Sequence, residues 1–161
     1  MLGRMACWQE FAAAAPELAR TAQGFLETRV HKTLATLRAD GSPRISGIEV
    51  RFIEGDLWFG SMPQARKALD LQRDPRFALH SGSEDPPAWS GDAKVSGRAE
   101  EVTDPGRIAE VFAAMGHTPA GPSHLFRCDV TEVSTVRPGD PADHLVIEVW
   151  REGEEVRRMR R

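Results

Sequence analysis

The stretch KTLATLRADGSPRISGIEVRFI, residues 32–53, decides the fold class of this sequence. Residues 32–37 and 44–53 are short runs rich in apolar and β-branched side chains, which is typical of strands. Between them, Asp40-Gly41-Ser42-Pro43 has the composition of a turn, and its glycine tolerates a positive φ. The stretch therefore predicts a β-hairpin.

The segments around the hairpin read as more short strands and few helices. A tight turn at residues 54–56 leads into a strand at residues 57–61, which would extend the hairpin to a three-stranded meander. Further strands are predicted at residues 76–80, 92–102, 125–136 and 144–151, and helices at residues 8–28 with a break at Pro16, at 63–72 and from Asp104 to near Gly116. So many strands predict a mainly β fold, an antiparallel β-barrel with peripheral helices, because closing a sheet removes its exposed edges.

Length, charge and hydropathy limit the class of protein. A chain of 161 residues with 40% hydrophobic content predicts one domain, residues 1–161, with a helical segment at 1–30 and the barrel at 31–161. A net charge of −3 argues against general binding to nucleic acid. Apolar stretches such as residues 12–15 are far shorter than the roughly 20 residues of a membrane span. With no recognisable leader segment either, we expect no membrane partner and a cytoplasmic location.

The cysteines and histidines do not suggest a metal centre. Cys7 and Cys128 lie far apart and show no CxxC or Cys/His spacing, so we expect neither a disulfide nor a zinc site. The histidines, which do not recur at the spacing of metal ligands, are His31, His80, His117, His124 and His144. Each of them fits a surface or structural role better than a catalytic one.

A pair of basic residues is the first candidate for a binding site. Arg66 and Lys67 lie at the start of the predicted helix that follows the strand ending at Ser61. Two cations, a hydroxyl and the free amides of a helix start would stabilise an anion. The alternative is that both cations are solvated charges on an amphipathic helix.

Four segments in order resemble the pyridoxamine 5'-phosphate oxidase-like family of flavin-binding split barrels. They are LATLRADGSPRISGIEVR at residues 34–51, WFGS at 58–61, QARKALDLQRDPRFAL at 64–79 and AKVSGRAEEV at 93–102. The resemblance implies a split β-barrel that forms a homodimer, with the cofactor at the interface between its subunits. It also implies that the cofactor is FMN or, as the alternative, the deazaflavin coenzyme F420.

The resemblance also implies which residues contact the cofactor. In the family, the stretch that matches residues 46–51 lines the flavin, the positions of Phe59 and Ser61 lie beside its ring or ribityl chain, and those of Arg66 and Lys67 bind its phosphate. Asp92 falls where the oxidases often have a glutamine. Near the C terminus, Trp150 matches a tryptophan that reaches the partner's flavin, and Arg157 and Arg161 match late arginines. The implied cofactor-binding residues are Ser46, Gly47, Ile48, Arg51, Phe59, Ser61, Arg66, Lys67, Asp92, Trp150, Arg157 and Arg161.

Three departures from the family argue against pyridoxamine 5'-phosphate oxidase activity itself. Ser46 replaces an arginine that contacts phosphate, and Met159 replaces the histidine of an Arg-x-His motif. The chain also has no tyrosine, although the oxidases use one at the substrate phosphate. We therefore expect this activity to be weak or absent.

The resemblance favours a flavin- or F420-dependent oxidoreductase that transfers a hydride to or from a small organic substrate. No hydrolase, zinc-protease or nucleotide-binding motif competes with it. Because such a cofactor carries the hydride, no catalytic side chain is assigned. The alternatives are a sensor that binds flavin or haem without turnover, and a dimerisation module with an empty cleft. The sequence leaves the roles of two features undecided. Trp89 could cover the ligand or anchor its loop, and residues 157–161 could be a solvated tail.

Overall fold

The fold is described from a computed structural model, which covers residues 6–161. The strands are β1 (Ala6–Cys7), β2 (Lys32–Leu37), β3 (Pro43–Ile48), β4 (Arg51–Ile53), β5 (Asp56–Ser61), β6 (Arg76–His80), β7 (Asp92–Glu101), β8 (His124–Pro138), β9 (Leu145–Arg151) and β10 (Arg157–Arg160). The helices are α1 (Trp8–Ala14), α2 (Pro16–Thr28), α3 (Arg66–Arg73) and α4 (Pro105–Ala114). The predicted helical segment 1–30 includes residues 1–5, which lie outside the described residues.

All the strands belong to one antiparallel sheet organised around the long strand β8. Along one edge β8 pairs with β7, and along the other it pairs in turn with β5, β1 and β9. From β7 the sheet continues through β6 and β2 to β3. The hydrogen-bonded circuit is not closed, since β3 and β4 are joined only through Glu49 and Val50. This is the split β-barrel with peripheral helices that the sequence predicts.

The predicted three-stranded meander is wrong in one respect, since both of its hairpins form but its central strand is interrupted. Residues 44–53 fall into two strands, of which β3 pairs with β2 while β4 pairs with β5. All six residues of β2 are already paired with β3. The break at residues 49–50 lets the second half leave β2 and join β5, and so connects the two sides of the barrel.

The two N-terminal helices cover the barrel core. Pro16 occupies the first turn of α2, where its missing N–H is tolerated, so the predicted break falls there. The buried face of α2 packs against β7 and β8. On α1, the Trp8 ring meets Phe11 and Phe52 edge-on at centroid distances of 5.0 and 4.9 Å. These contacts fix both helices to the sheet.

The C-terminal basic run forms a strand that the sequence did not predict. Residues 157–160 pair with β9, placing Met159 opposite Ile147. Three of its four residues are arginines, so the sequence shows no apolar alternation that would predict this strand. Backbone hydrogen bonds to β9 hold it. Charged side chains on such an edge discourage pairing with other chains.

Within residues 6–161, no helix is long and apolar enough to cross a membrane.

Candidate functional site

A cavity of about 580 Å³ lies where the β3–β4 break, the end of β5, the start of α3 and the end of α4 meet. Its volume is within the range of about 300–1,000 Å³ that is typical of small-molecule sites. The sequence-predicted residues that line it are Gly47, Ile48, Arg51, Ser61 and Lys67. The structure therefore brings together side chains from three strands and a helix that are separated along the chain.

Lys67 is a partly buried cation without a counter-charge in the described part of the chain. Its Nζ donates a hydrogen bond of 2.9 Å to the carbonyl oxygen of Gly47. Burial lowers the pKa of the Lys67 ammonium because the charged form loses its hydration. An anion in the cavity would replace that lost stabilisation.

Ser61 contributes a buried hydroxyl with no partner. The residue is 8% exposed at the end of β5, and its Oγ makes no hydrogen bond to any of residues 6–161. Leaving a buried polar group unpaired costs about 1–3 kcal/mol. Because Ser61 lines the same cavity as Lys67, a ligand oxygen bound there would satisfy it.

The charges on the cavity wall favour an anion. Glu49 is the lining carboxylate, and its oxygens lie 3.5 Å from Arg51 Nη2 and 3.9 Å from His31 Nδ1. Arg51 therefore balances Glu49, and the charge of Lys67 remains. His117, on the opposite wall, adds a ring that can donate a hydrogen bond.

The wall contributed by α4 is apolar. Phe112 and Met115 line the cavity, and the Phe112 ring packs directly on Gly60 of β5. A Cβ at Gly60 would lie 2.8 Å from this ring, so only glycine allows the helix to approach so closely. The cavity thus combines a cationic, hydrogen-bonding end with a surface suited to an aromatic ring.

Replacing Ser61 with alanine is expected to weaken ligand binding without destabilising the fold. Removal of the unpaired hydroxyl should leave the free energy of unfolding unchanged or raise it by up to about 1 kcal/mol, because no hydrogen bond within the protein is lost. Affinity for an anionic ligand of the cavity should fall about ten-fold or more, since a hydrogen bond to a charged group contributes about 1.5–3 kcal/mol. Urea denaturation and ligand titration measure the two effects, and a loss of stability equal to the loss of binding would contradict this role for Ser61.

Residues 18–137 match the sequence profile of the family described as Pyridoxamine 5'-phosphate oxidase. The chain belongs to this family. All the residues that line the cavity fall within the matched segment. No curated protein matches the chain.

Several solved structures share the fold of this pyridoxamine 5'-phosphate oxidase family member. Campylobacter jejuni ChuZ is 12% identical with a TM-score of 0.68, over 86% of this chain and 61% of that one. PhzG from Burkholderia lata, in complex with tetrahydrophenazine-1-carboxylic acid, is 14% identical with a TM-score of 0.58, over 94% and 91% of the two chains. A structure named F420 Reductase is 20% identical with a TM-score of 0.52, over 69% and 94%.

Four residues implied by the family resemblance do not line the cavity. Phe59 is 1% exposed and packs against Phe77 and Phe126, deeper in the barrel than Ser61. The others are Ser46, which lies half-buried on β3, Arg66, which is exposed on α3, and Asp92, whose carboxylate is 3.4 Å from His80. Each of these lies on a correctly predicted element but contributes no side chain to the cavity wall.

The implied C-terminal residues also lie away from the cavity of the single chain. Trp150 is 3% exposed and packs against Phe11, with ring centroids 4.8 Å apart. Arg157 forms an ion pair with Glu154. Arg161 lines a separate groove of about 460 Å³ that also contains Trp89 and shares no lining residue with the cavity.

Sequence reasoning missed about half of the cavity wall. The missed residues include His31, Met62, Phe112, Met115 and His117. Those on and after α4 are brought to the cavity by packing on β5, and their local sequence shows only an amphipathic helix. Among the described residues, Cys7 and Cys128 are free thiols and no group of side chains could hold a metal ion.

Proposed function

We propose that the protein is an FMN-dependent oxidoreductase whose cofactor binds in the 580 Å³ cavity. One observation carries the proposal: a partly buried lysine with no counter-charge and a buried hydroxyl with no hydrogen-bond partner, both among residues 6–161, line the same cavity as an apolar wall. A flavin mononucleotide combines a phosphate with a large aromatic ring. The residues present therefore fit the chemistry of the cofactor that is typical of the family.

Each part of the cavity has a role in this proposal. Lys67 and Ser61 would hold the phosphate by charge-assisted hydrogen bonds. A Cβ at Gly47 would meet no atom within 4 Å, so the β3 backbone is open to a ligand. Phe112 and Met115 would cover the ring and exclude water. The flavin, when bound, supplies hydride-transfer chemistry, and the protein contributes binding, orientation and electrostatics.

The substrate in this proposal is a small organic molecule other than pyridoxamine 5'-phosphate. Ser46 and Met159 replace the basic residues that the oxidases use, and Met159 lies on β10, which does not border the cavity. A steady-state assay of the FMN-loaded protein tests this point. A turnover number of about 1 per second or more, which is ordinary for an enzyme, would contradict it.

Titration of the purified protein with FMN, and separately with coenzyme F420, tests the proposed cofactor. We expect saturable binding of FMN in one equivalent per chain, with a shift of the flavin absorption bands. Binding of F420 alone would assign the cavity to the deazaflavin, for which the similarity to the F420 Reductase structure is the supporting observation. Binding of neither would contradict the proposal.

We also propose that the cavity is completed by a second copy of the chain. Large apolar side chains are exposed beside it: Val30 is 55%, Ile45 74% and Met62 77% exposed. Ile45 lies on β3, an edge strand that pairs with no strand other than β2 among residues 6–161. Patches of this kind mark protein interfaces.

Replacing Ile45 with glutamate is expected to convert a homodimer into a monomer, because the charge would be buried in the interface. Light scattering measures the molar mass, and FMN affinity should fall about ten-fold or more if the partner covers the site. Val156→Glu, at an exposed apolar residue away from β3, is the matched control. A wild-type monomer that binds FMN would contradict the shared site.

A further inference from the structure

Asp70 is a buried carboxylate on α3 that the proposed binding site does not use directly. The residue is 3% exposed. Its Oδ2 accepts hydrogen bonds from Thr36 Oγ1 at 2.8 Å and from Arg44 Nε at 2.6 Å, and its Oδ1 accepts one from Arg73 Nη2 at 3.0 Å. Asp70 therefore ties α3 to both β2 and β3.

The hydrogen bond between Asp70 and Arg44 joins α3 to β3, as the hydrogen bond of Lys67 does. Lys67 lies one turn before Asp70 on α3 and donates to Gly47, while Asp70 accepts from Arg44 on the same strand. Burial alone would raise the pKa of Asp70. Hydrogen bonds from Arg44, Arg73 and Thr36 outweigh burial and hold the pKa below its usual value, so the carboxylate is charged at neutral pH.

The first turn of α3 packs on the core through Ala65 and Ala68, but within residues 6–161 its one side-chain hydrogen bond to the sheet is that of Lys67. The helix has eight residues, and a helix of this length is not stable without tertiary contacts. Its N-cap residue, Ala65, provides no side-chain cap, and Gln64 before it has a positive φ of 59°. The other polar contacts that orient the first turn, and Lys67 in it, are therefore made further along the helix, at Asp70.

We propose that Asp70 is a positioning residue that aims Lys67 at the anion-binding end of the cavity. The inference rests on the proposed function, because it concerns the residue that would hold the phosphate. A lysine side chain is flexible, so its contribution to affinity depends on where its helix is anchored. Asp70 provides that anchor through Thr36 and Arg44 without touching the ligand.

Other contacts are expected to keep α3 folded when Asp70 loses its charge. Gln72 donates to Glu101 on β7 at 2.9 Å, and Arg73 donates to the carbonyl oxygen of Leu37 at 2.6 Å. Ala68 and Leu71 are buried in the core. The Asp70→Asn variant keeps the size of the side chain, removes its charge and replaces one acceptor oxygen with a donor, so it breaks anchoring contacts without leaving a cavity.

A double-mutant cycle with FMN as the probe tests the proposal. FMN affinity is measured by fluorescence titration in the wild type, Asp70→Asn, Lys67→Ala and the double variant. We expect Asp70→Asn alone to weaken binding about ten-fold, and less than about two-fold in the Lys67→Ala background, because Asp70 acts through Lys67. A merely structural role would weaken binding by the same factor in both backgrounds and would overturn the proposal, as would wild-type affinity in Asp70→Asn.

Control variants show whether a negative result contradicts only the role of Asp70 or also the proposed binding site. Asp74→Asn removes a half-buried carboxylate that pairs with Arg76 just beyond α3, and it should bind FMN like the wild type. If Asp70→Asn does not fold, Thr36→Val removes one of the anchoring hydrogen bonds and is carried through the same cycle with the same criteria. Wild-type affinity in Lys67→Ala would overturn the assignment of the phosphate site, and with it this inference.

Discussion

Replacing Lys67 with alanine is expected to weaken FMN binding by about ten- to a hundred-fold. The ammonium is partly buried and has no ion-pair partner among residues 6–161, so its desolvation is not offset until an anion binds. A hydrogen bond to a charged group contributes about 1.5–3 kcal/mol, and each 1.4 kcal/mol corresponds to about ten-fold in affinity. Calorimetric titration with FMN measures the loss.

Two comparisons make the Lys67 result specific. Lys94→Ala removes the same charge from an exposed position on β7, and it should bind FMN like the wild type. Riboflavin lacks the phosphate, so its affinity should hardly change in Lys67→Ala. Equal losses for FMN and riboflavin would show that Lys67 does not contact the phosphate.

Replacing Trp150 with alanine is expected to lower the free energy of unfolding by about 3–5 kcal/mol. The side chain is 3% exposed and packs against Phe11, so its removal leaves a large cavity between β9 and α1. Chemical denaturation measures the loss of stability. The folded fraction of the variant should bind FMN with nearly unchanged affinity, because Trp150 does not line the cavity.

Trp89→Ala is the matched control for the Trp150 variant. Trp89 is half-buried in the loop between β6 and β7, and its removal should cost far less stability. A Trp150→Ala variant that keeps its stability but binds FMN ten-fold more weakly would contradict the core role. It would instead support the role that the family resemblance implies, at the cofactor of a partner subunit.

Much of the fold could be predicted because local patterns determine it. The strand Arg76–His80 has the predicted bounds, and α4 begins after Asp104, whose carboxylate accepts a hydrogen bond from the amide of Arg107 at 2.7 Å. The break between β3 and β4 was not predictable in this way. It depends on which strand pairs with each half, and that is decided by contacts far apart in sequence.

The residues of the candidate site also fall into two groups: those that local sequence could predict and those that it could not. Ser61 and Lys67 could be found because they follow each other closely along the chain, at the end of a strand and the start of the next helix. Phe112 and Met115 could not, since they reach the cavity only through the packing of Phe112 on Gly60. The sequence shows which residues have the required chemistry, and the packing of α4 decides which of them share a wall.

A crystal structure of the protein grown with FMN would show whether the cavity holds the cofactor. We predict one flavin in the 580 Å³ cavity, with phosphate oxygens within hydrogen-bonding distance of Lys67 Nζ and Ser61 Oγ and the ring against Phe112. An empty cavity at saturating FMN, or a flavin bound instead in the groove lined by Trp89 and Arg161, would contradict it.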